Sequence, residues 1–475
     1  LNLDTLKFIY IHSINLDFMS SKLLERLNSP GPKRILSLDG GGIRGILTLG
    51  LLEKLEEILR DKHNNPDLLL CDYFDLIGGT STGSIIATGL ALGMTAAELK
   101  THYFNLGNII FGKKKSLINF VVKGEKYDVR PLTKALKEVL GETKLGDQEK
   151  LKTGLCVVTK RADTFSTWPF TNHPEGKFYD HNKDIPLWQV VRASSAAPTY
   201  FLPLILDVGK GEKGAFIDGG VSMANNPSLR LLMMATLKGF PYHWTKGSDQ
   251  LLMVSMGTGS KVRKRKHSEL KQLNLLNWAG MLPEHFMSDA NYYNQLIMQI
   301  LSDSPTAKVI DSEVGDLSLD SINSDPALHY LRYDVPFDKE YLNSLGYKWS
   351  EKEIKSLSAM DNPKNMDKLA DIGVRVAEQK IKPEHFPEVF SLNASRENIK
   401  RRFGQHKKLD LDFQKMQKKK VPVEAVQINE PFEVETMEGI MQGKAGDYLM
   451  KGVRGEYYVC DQSIFRETYE TYDSE

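Results

Sequence analysis

The sequence predicts an α/β fold followed by a small all-β module. Three observations carry this. The run Tyr73-Phe74-Asp75-Leu76-Ile77 reads as a short buried strand, and it leads through Gly79-Thr80-Ser81-Thr82-Gly83 into an apolar, small-residue helix from Ser84 to Leu92. Earlier, Arg34-Ile35-Leu36-Ser37-Leu38 reads as a second buried strand, feeding Asp39-Gly40-Gly41-Gly42-Ile43-Arg44-Gly45 and then a helix from Ile46 to Arg60 with Glu53, Lys54, Glu56 and Glu57 on its polar face. Beyond Val421 the pattern changes to short alternating runs separated by glycine turns, VEAVQI, FEVETM and GEYYVCD, as expected of small strands.

The first of these stretches matches G-x-S-x-G, a turn that lifts a serine from the end of a strand to the start of a helix. Gly79 and Gly83 flank it, and residues without side chains let the strand and the helix approach closely enough to allow the turn. The glycine run at 40–42 opens a helix, so its successive N–H groups and the positive helix end form an anion-binding nest, suited to an oxyanion or a phosphate. Its spacing is not G-x-G-x-x-G and it lacks the lysine of a P-loop, which argues against ATP or NAD. A carboxylate follows at the end of another short strand, in Gly214-Ala215-Phe216-Ile217-Asp218-Gly219-Gly220. A serine needs a base to take its proton as it attacks a carbonyl, and burial would raise Asp218 above the ordinary carboxylate pKa of about 3.9.

Composition limits the alternatives. With 475 residues, 41% hydrophobic and 26% charged, the chain has the make-up of a globular protein of two to four domains. The net charge of +1 points to no nucleic-acid partner. Cys71, Cys156 and Cys460 lie far apart, which suggests neither a disulfide framework nor a metal site and fits a reducing, cytoplasmic setting. No apolar stretch reaches the roughly 18 residues that a membrane span needs. The short run FIYIHSI near the start has no basic flank and no small-residue cleavage site, so no signal peptide is expected. Residues 1–31 read as an N-terminal extension, the first 18 as a tag, an upstream addition or a trimmed end, with ordered structure beginning near Pro32.

DGGGIRG at 39–45, GTSTG at 79–83 and DGG at 218–220, in this order, resemble the patatin-like phospholipases, and the chain looks like a bacterial member. Ala193-Ser194-Ser195-Ala196-Ala197-Pro198, Asn225-Asn226-Pro227 and the stretch Leu251 to Gly259 extend the resemblance, which runs to about Ile381. It implies a hydrolase domain over 32–382, built on a patatin-like sheet with helices on both faces, and a Ser-Asp dyad with no histidine. Ser81 would be the nucleophile and Asp218 the base, with Gly40, Gly41 and Gly42 as oxyanion-hole amides and Arg44 in support. It also implies cleavage of carboxylic esters in lipids, most naturally phospholipids, without metal or cofactor, at a membrane surface that the protein meets peripherally. A regulatory ligand and a homo-oligomer stay open, since patatin-like enzymes include membrane-degrading effectors in bacterial anti-phage signalling. A nucleotide- or partner-sensing tail is accordingly the alternative of a different class.

Within enzymes the rival is an α/β-hydrolase triad, for which His243, His267 and His285 are candidate third members, none of them in a strand-end motif. Two segments mix apolar and basic residues as a membrane-facing rim does: Ile109 to Val122, and Leu275 to Phe286 with Trp278, Met281 and Leu282. Each reads equally well as a core helix with solvated lysines. Residues 383–420 are expected to form a basic helical connector and 421–475 the small β module, where Gly446-Asp447-Tyr448 matches a signature of β domains appended to bacterial and phage proteins. Packing is the expected role of that module.

Overall fold

The structure is a computed structural model that describes residues 22–111, 126–209, 211–261, 267–271, 273–309, 315–322, 324–392, 423–436, 439–452 and 455–469. Its chain divides into a large unit up to Arg402 and a small one from Phe403. In the large unit the first elements are α1 (Lys22–Asn28), β1 (Lys33–Leu38), α2 (Gly45–His63), β2 (Leu76–Thr80), α3 (Thr82–Ala91), α4 (Ala96–Phe111) and α5 (Val129–Leu140). There follow β3 (Gly154–Arg161), β4 (Thr167–Thr171), α6 (Leu187–Ser194), β5 (Leu204–Asp207), β6 (Lys213–Asp218), α7 (Ser228–Thr236) and β7 (Gly247–Met256). The rest are β8 (Ser260–Lys261), α8 (Leu275–Ile300), β9 (Ser302–Asp303), β10 (Leu328–Tyr333), β11 (Pro336–Phe337) and α9 (Met366–Lys380).

One sheet of nine strands organises this unit, in the order β5-β6-β3-β2-β1-β7-β10-β9, with β4 also paired to β3. Strands β3, β2, β1, β7, β10 and β9 are mutually parallel, whereas β4 and β6 run antiparallel to β3 and β5 antiparallel to β6. Because side chains alternate along a strand, the apolar residues of the parallel strands feed two cores. Leu36, Leu38, Ile77, Leu155, Val157 and Val254 pack with residues of α2 to α6 and α9. Ile35, Leu76, Cys156, Val158, Leu251 and Met253 pack with α1, α7 and Met298 of α8. Helices therefore lie on both faces, as the resemblance implies.

Three readings shift. Tyr73 closes a short helical turn, Leu70–Tyr73, and the strand is Leu76–Thr80 instead of Tyr73–Ile77. The unit begins before Pro32, since Leu23 and Leu27 of α1 are buried and Arg26 donates to the carbonyls of Cys71, Phe74 and Lys152 at 2.7, 2.8 and 3.1 Å. It also runs past residue 382, because Phe386 and Phe390 are buried against the same core. A helix too short to show periodicity had hidden the first boundary, and two 3₁₀ turns the second. Most of the expected basic connector lies outside the described residues.

The small unit contains β12 (Glu424–Gln427), β13 (Phe432–Thr436), β14 (Gly439–Gly443), β15 (Tyr448–Lys451) and β16 (Tyr457–Cys460). Strands β12-β15-β16 form an antiparallel sheet, and β13 pairs with β14. It is not wholly β, because α10 (Gln462–Thr468) follows, capped by Asp461, whose carboxylate accepts from Ser463 N–H at 2.9 Å. The Gly446-Asp447-Tyr448 signature is a packed turn. Asp447 is buried and accepts from Lys444 N–H at 2.9 Å, and Tyr448 stacks on Phe465 of α10 at 3.7 Å.

Candidate active site

The register of β3 brings two distant motifs together. Its Val158 pairs with Thr80, the last residue of β2, and its next residue, Thr159, pairs with Asp218, the last residue of β6. Strand β4 occupies the other edge of β3, so β6 takes over the edge that β2 leaves. The chain turns out of β2 at Ser81 where β6 delivers Asp218.

Ser81 holds φ 53° and ψ −122°, a conformation that costs on the order of 1–3 kcal/mol and persists only where surrounding contacts impose it. Those contacts are present. Its N–H donates to Ser194 Oγ at 2.8 Å, and Ser194 Oγ donates in turn to the Val158 carbonyl at 2.6 Å. Its carbonyl accepts from Ser84 N–H and Oγ at 2.9 and 2.6 Å. At Gly79 and Gly83 side chains are excluded by close approach: a methyl on Gly79 would meet the backbone of Gly83, and one on Gly83 the carbonyls of Leu38 and Asp39.

Asp218 is buried, with one carboxylate oxygen accepting from Gly220 N–H at 2.7 Å. Burial pushes its pKa up to about 6, against the opposing pull of hydrogen bonds from the Ser81 side chain and Gly220 N–H. No histidine is among these partners, and His243, His267 and His285 are all exposed. Nothing in the geometry therefore supports a Ser-Asp-His triad.

The glycine loop closes the site. A methyl built on Gly40 would sit 3.3 Å from Ser81 Cβ and 2.6 Å from Asn225 Oδ1, and one on Gly220 would sit 2.8 Å from the same Asn225 oxygen. Asn225 thus lies between the first and third motifs. Each loop carbonyl is tied from behind. The Gly40 carbonyl accepts from Thr258 Oγ1 at 2.9 Å, that of Gly41 from Arg44 Nε at 3.2 Å, and that of Gly42 from Thr82 Oγ1 at 2.8 Å and from Tyr103 Oη. In a trans peptide the next N–H points opposite to the carbonyl, so tying the carbonyls of Gly40 and Gly41 fixes where the N–H groups of Gly41 and Gly42 point. Gly40 N–H is spent on the Asn225 carbonyl at 3.0 Å and Ile43 N–H on that of Met360 at 2.9 Å. Of the three amides expected to serve an oxyanion, those of Gly41 and Gly42 have no partner among the described residues.

Arg44 also reaches the Gly259 carbonyl at 2.9 Å, so it braces the loop from behind. The sequence reading missed Arg332. This residue of β10 grips Asp39, the first residue of the loop, through two bonds of 2.9 and 2.7 Å, and donates to Ser255 Oγ at 2.8 Å. Burial alone would lower the pKa of Arg332, but the carboxylates of Asp39 and Asp334 hold it above its ordinary value. A lone cation in the apolar run LHYLRY was the available signal. Ser194 and Asn225 stood inside stretches already noted, without roles.

Comparison with known proteins shows the family to which the chain belongs. A family model, Patatin-like phospholipase, matches residues 36–232, which contain the glycine loop, Ser81 and Asp218. Over 294 residues the chain is 31% identical to Patatin-07 of Solanum tuberosum, across 56% of this chain and 72% of that protein. The chain belongs to the patatin-like phospholipase family. The expected enzyme class, a lipid hydrolase, stands with that membership. Patatin-17 of Solanum cardiophyllum is 29% identical over 310 residues, 61% of this chain and 74% of the relative. A cGAMP-activated phospholipase of Escherichia coli is 37% identical over 199 residues, 41% of this chain and 53% of the relative. The chain thus spans about half the length of that bacterial protein. Within this patatin-like chain, Arg332 and Thr258 lie beyond the segment that the family model matches.

Proposed function

We propose that this patatin-like protein hydrolyses carboxylic ester bonds of membrane lipids, phospholipid acyl chains first among them, through Ser81 and Asp218. The Ser81 hydroxyl attacks the ester carbonyl as its proton passes to the Asp218 carboxylate. The tetrahedral oxyanion is held by Gly41 and Gly42 N–H, a term worth about 3–4 kcal/mol per donor in other serine hydrolases. Collapse breaks the ester bond, and the departing alcohol takes the proton from Asp218. Water then gives a proton to the same carboxylate and attacks the acyl-enzyme, and expulsion of the Ser81 oxygen, reprotonated from Asp218, frees the fatty acid. A base works best with a pKa not far from the working pH, so the rise to about 6 suits Asp218 to both steps.

The observation that carries this reading is that Ser81 and Asp218 meet where β2 and β6 end alongside β3, with two unspent amides in the glycine loop that packs on Ser81. Ser81→Ala is expected to lower hydrolysis of a soluble ester by roughly 10⁴-fold or more, as loss of a serine nucleophile does elsewhere. Unchanged turnover in the purified variant would sink the assignment. Gly40→Ala provides a test of the loop. Its methyl would press on Ser81 and Asn225, and displacement of reacting groups by about 1 Å can cost on the order of 10²-fold. The expected result is a fall of that order in kcat in a protein that still folds, with a melting temperature lowered by the overpacking.

A second reading follows from the bacterial relative, which is a cGAMP-activated phospholipase. Here the same residues would act only once a cyclic dinucleotide binds. Hydrolysis measured with and without cGAMP separates the two, since the first reading expects equal rates.

A further inference from the structure

Helix α8 is 26 residues long and is anchored at its C-terminal part. There Met298 is fully buried, and Asn294, also buried, donates through Nδ2 to the carbonyls of Met223 and Asn226 at 3.3 and 2.8 Å. Towards its N-terminus the apolar residues face solvent instead. Leu275, Trp278, Leu282 and Phe286 are 83%, 42%, 46% and 69% exposed. At 3.6 residues per turn these four fall within an arc of about 80°, so they form one continuous stripe, which ends at Asp289 on the same face. Apolar side chains aligned and left in water call for a partner.

Two further features say what the partner is. The loop clamped by Asn294 follows directly on Asp218, and it too exposes Val221 and Met223. Phe286 and Asn294 are eight positions apart, or about 12 Å along a helix axis, so the stripe ends about two turns from the residue that holds this loop. Ahead of the helix, Lys261-Val262-Arg263-Lys264-Arg265-Lys266 carries five cations and no acidic residue, in a chain whose net charge is only +1. Leucine, tryptophan and phenylalanine on one helical face, preceded in the sequence by a cationic run, is the make-up of a segment that lies in a bilayer interface and prefers anionic lipid.

We infer that the N-terminal part of α8, with Val221 and Met223, is the surface by which this protein seats its active site on an anionic bilayer. The inference deepens the proposed function by assigning a face of the molecule to the membrane, although docking itself requires no chemistry. A second copy on the stripe would instead cover the rim through which lipid enters.

The test uses the full chain carrying Ser81→Ala, sedimented with phosphatidylcholine vesicles with and without phosphatidylglycerol. Binding is expected to the anionic vesicles and to weaken with salt. Trp278→Glu with Phe286→Glu should lower the partition constant roughly a hundredfold, about tenfold for each apolar side chain no longer buried. Leu275→Glu, at the most exposed position of the stripe, should lower it roughly tenfold without touching the packed part of the helix. Leu319→Glu, 94% exposed elsewhere, should change nothing. With Ser81 intact, the stripe variants should hydrolyse a soluble short-chain ester at the parental rate. Absence of vesicle binding by the parent, or equal binding by the stripe variants, overturns the inference, as does a parental dimer that the stripe variants convert to monomer without loss of vesicle binding. If Ser81→Ala keeps full activity while the vesicle results hold, the dyad reading fails and the docking surface stands.

Discussion

Asp218→Asn is expected to lower ester hydrolysis by about 10²–10⁴-fold, the usual contribution of a general base, and to leave a more stable protein above pH 6. The two effects share one cause. Burial raises the folded-state pKa from 3.8 to about 6. A carboxyl raised in this way favours the folded state while protonated. Its contribution is complete below the unfolded pKa and is lost as pH rises through about 6, beyond which the fold carries an ionised group that water would solvate better. The shift corresponds to roughly 3 kcal/mol, an upper bound on what the variant regains. Asparagine can keep the bond from Gly220 N–H without the charge. Denaturant unfolding on either side of pH 6 reads the stability difference, which should vanish well below that pH. In the parent, kcat/KM should fall about tenfold per pH unit on the acid side of about 6, because only the carboxylate accepts a proton. Full activity in the variant would refute the role of Asp218.

Arg332→Leu should be the most damaging substitution far in sequence from the motifs, destabilising the fold by about 3–5 kcal/mol. It strips buried Asp39 of the partner that grips it through two bonds, at the position where β1 passes into the glycine loop. Hydrolysis of a soluble ester should fall with stability, since the loop then loses the grip at its base. Adding Asp39→Asn should recover part of the loss, because removing both charges costs less than stranding one. Urea unfolding of both single variants and the pair measures the coupling. Parental stability in Arg332→Leu, or no recovery in the pair, would show that the ion pair does not brace the loop.

How much of this was legible in the sequence follows from the range of each interaction. Glycine spacing and apolar runs are local, so the strand-to-helix turns at Ser81 and at the glycine loop could be read directly, whereas the sheet with helices on both faces came from the family resemblance of the motifs. Local signals erred where they are weakest: over α1, seven residues too few to show a sustained period although they bury Leu23 and Leu27, and over α10, a seven-residue helix directly after the strand-like run GEYYVCD. The exposure of Trp278 and Phe286 was likewise open, because a helical stripe has the same spacing whether it faces a core or water.

Residue type and spacing alone determined which groups the chain offers for chemistry: a serine in a strained turn, a carboxylate at a strand end and a run of bare amides. Tertiary structure decided which of them meet and in what state. Only the pairing of β3 with β2 and then β6 puts residue 218 beside residue 81. Only burial lifts the carboxyl towards neutrality, and only contacts from Thr258, Arg44 and Asn225 determine which glycine N–H groups stay open. Partners more than a hundred positions apart leave no local trace in a chain, because solvation and hydrogen-bond competition are settled by what surrounds a group in space.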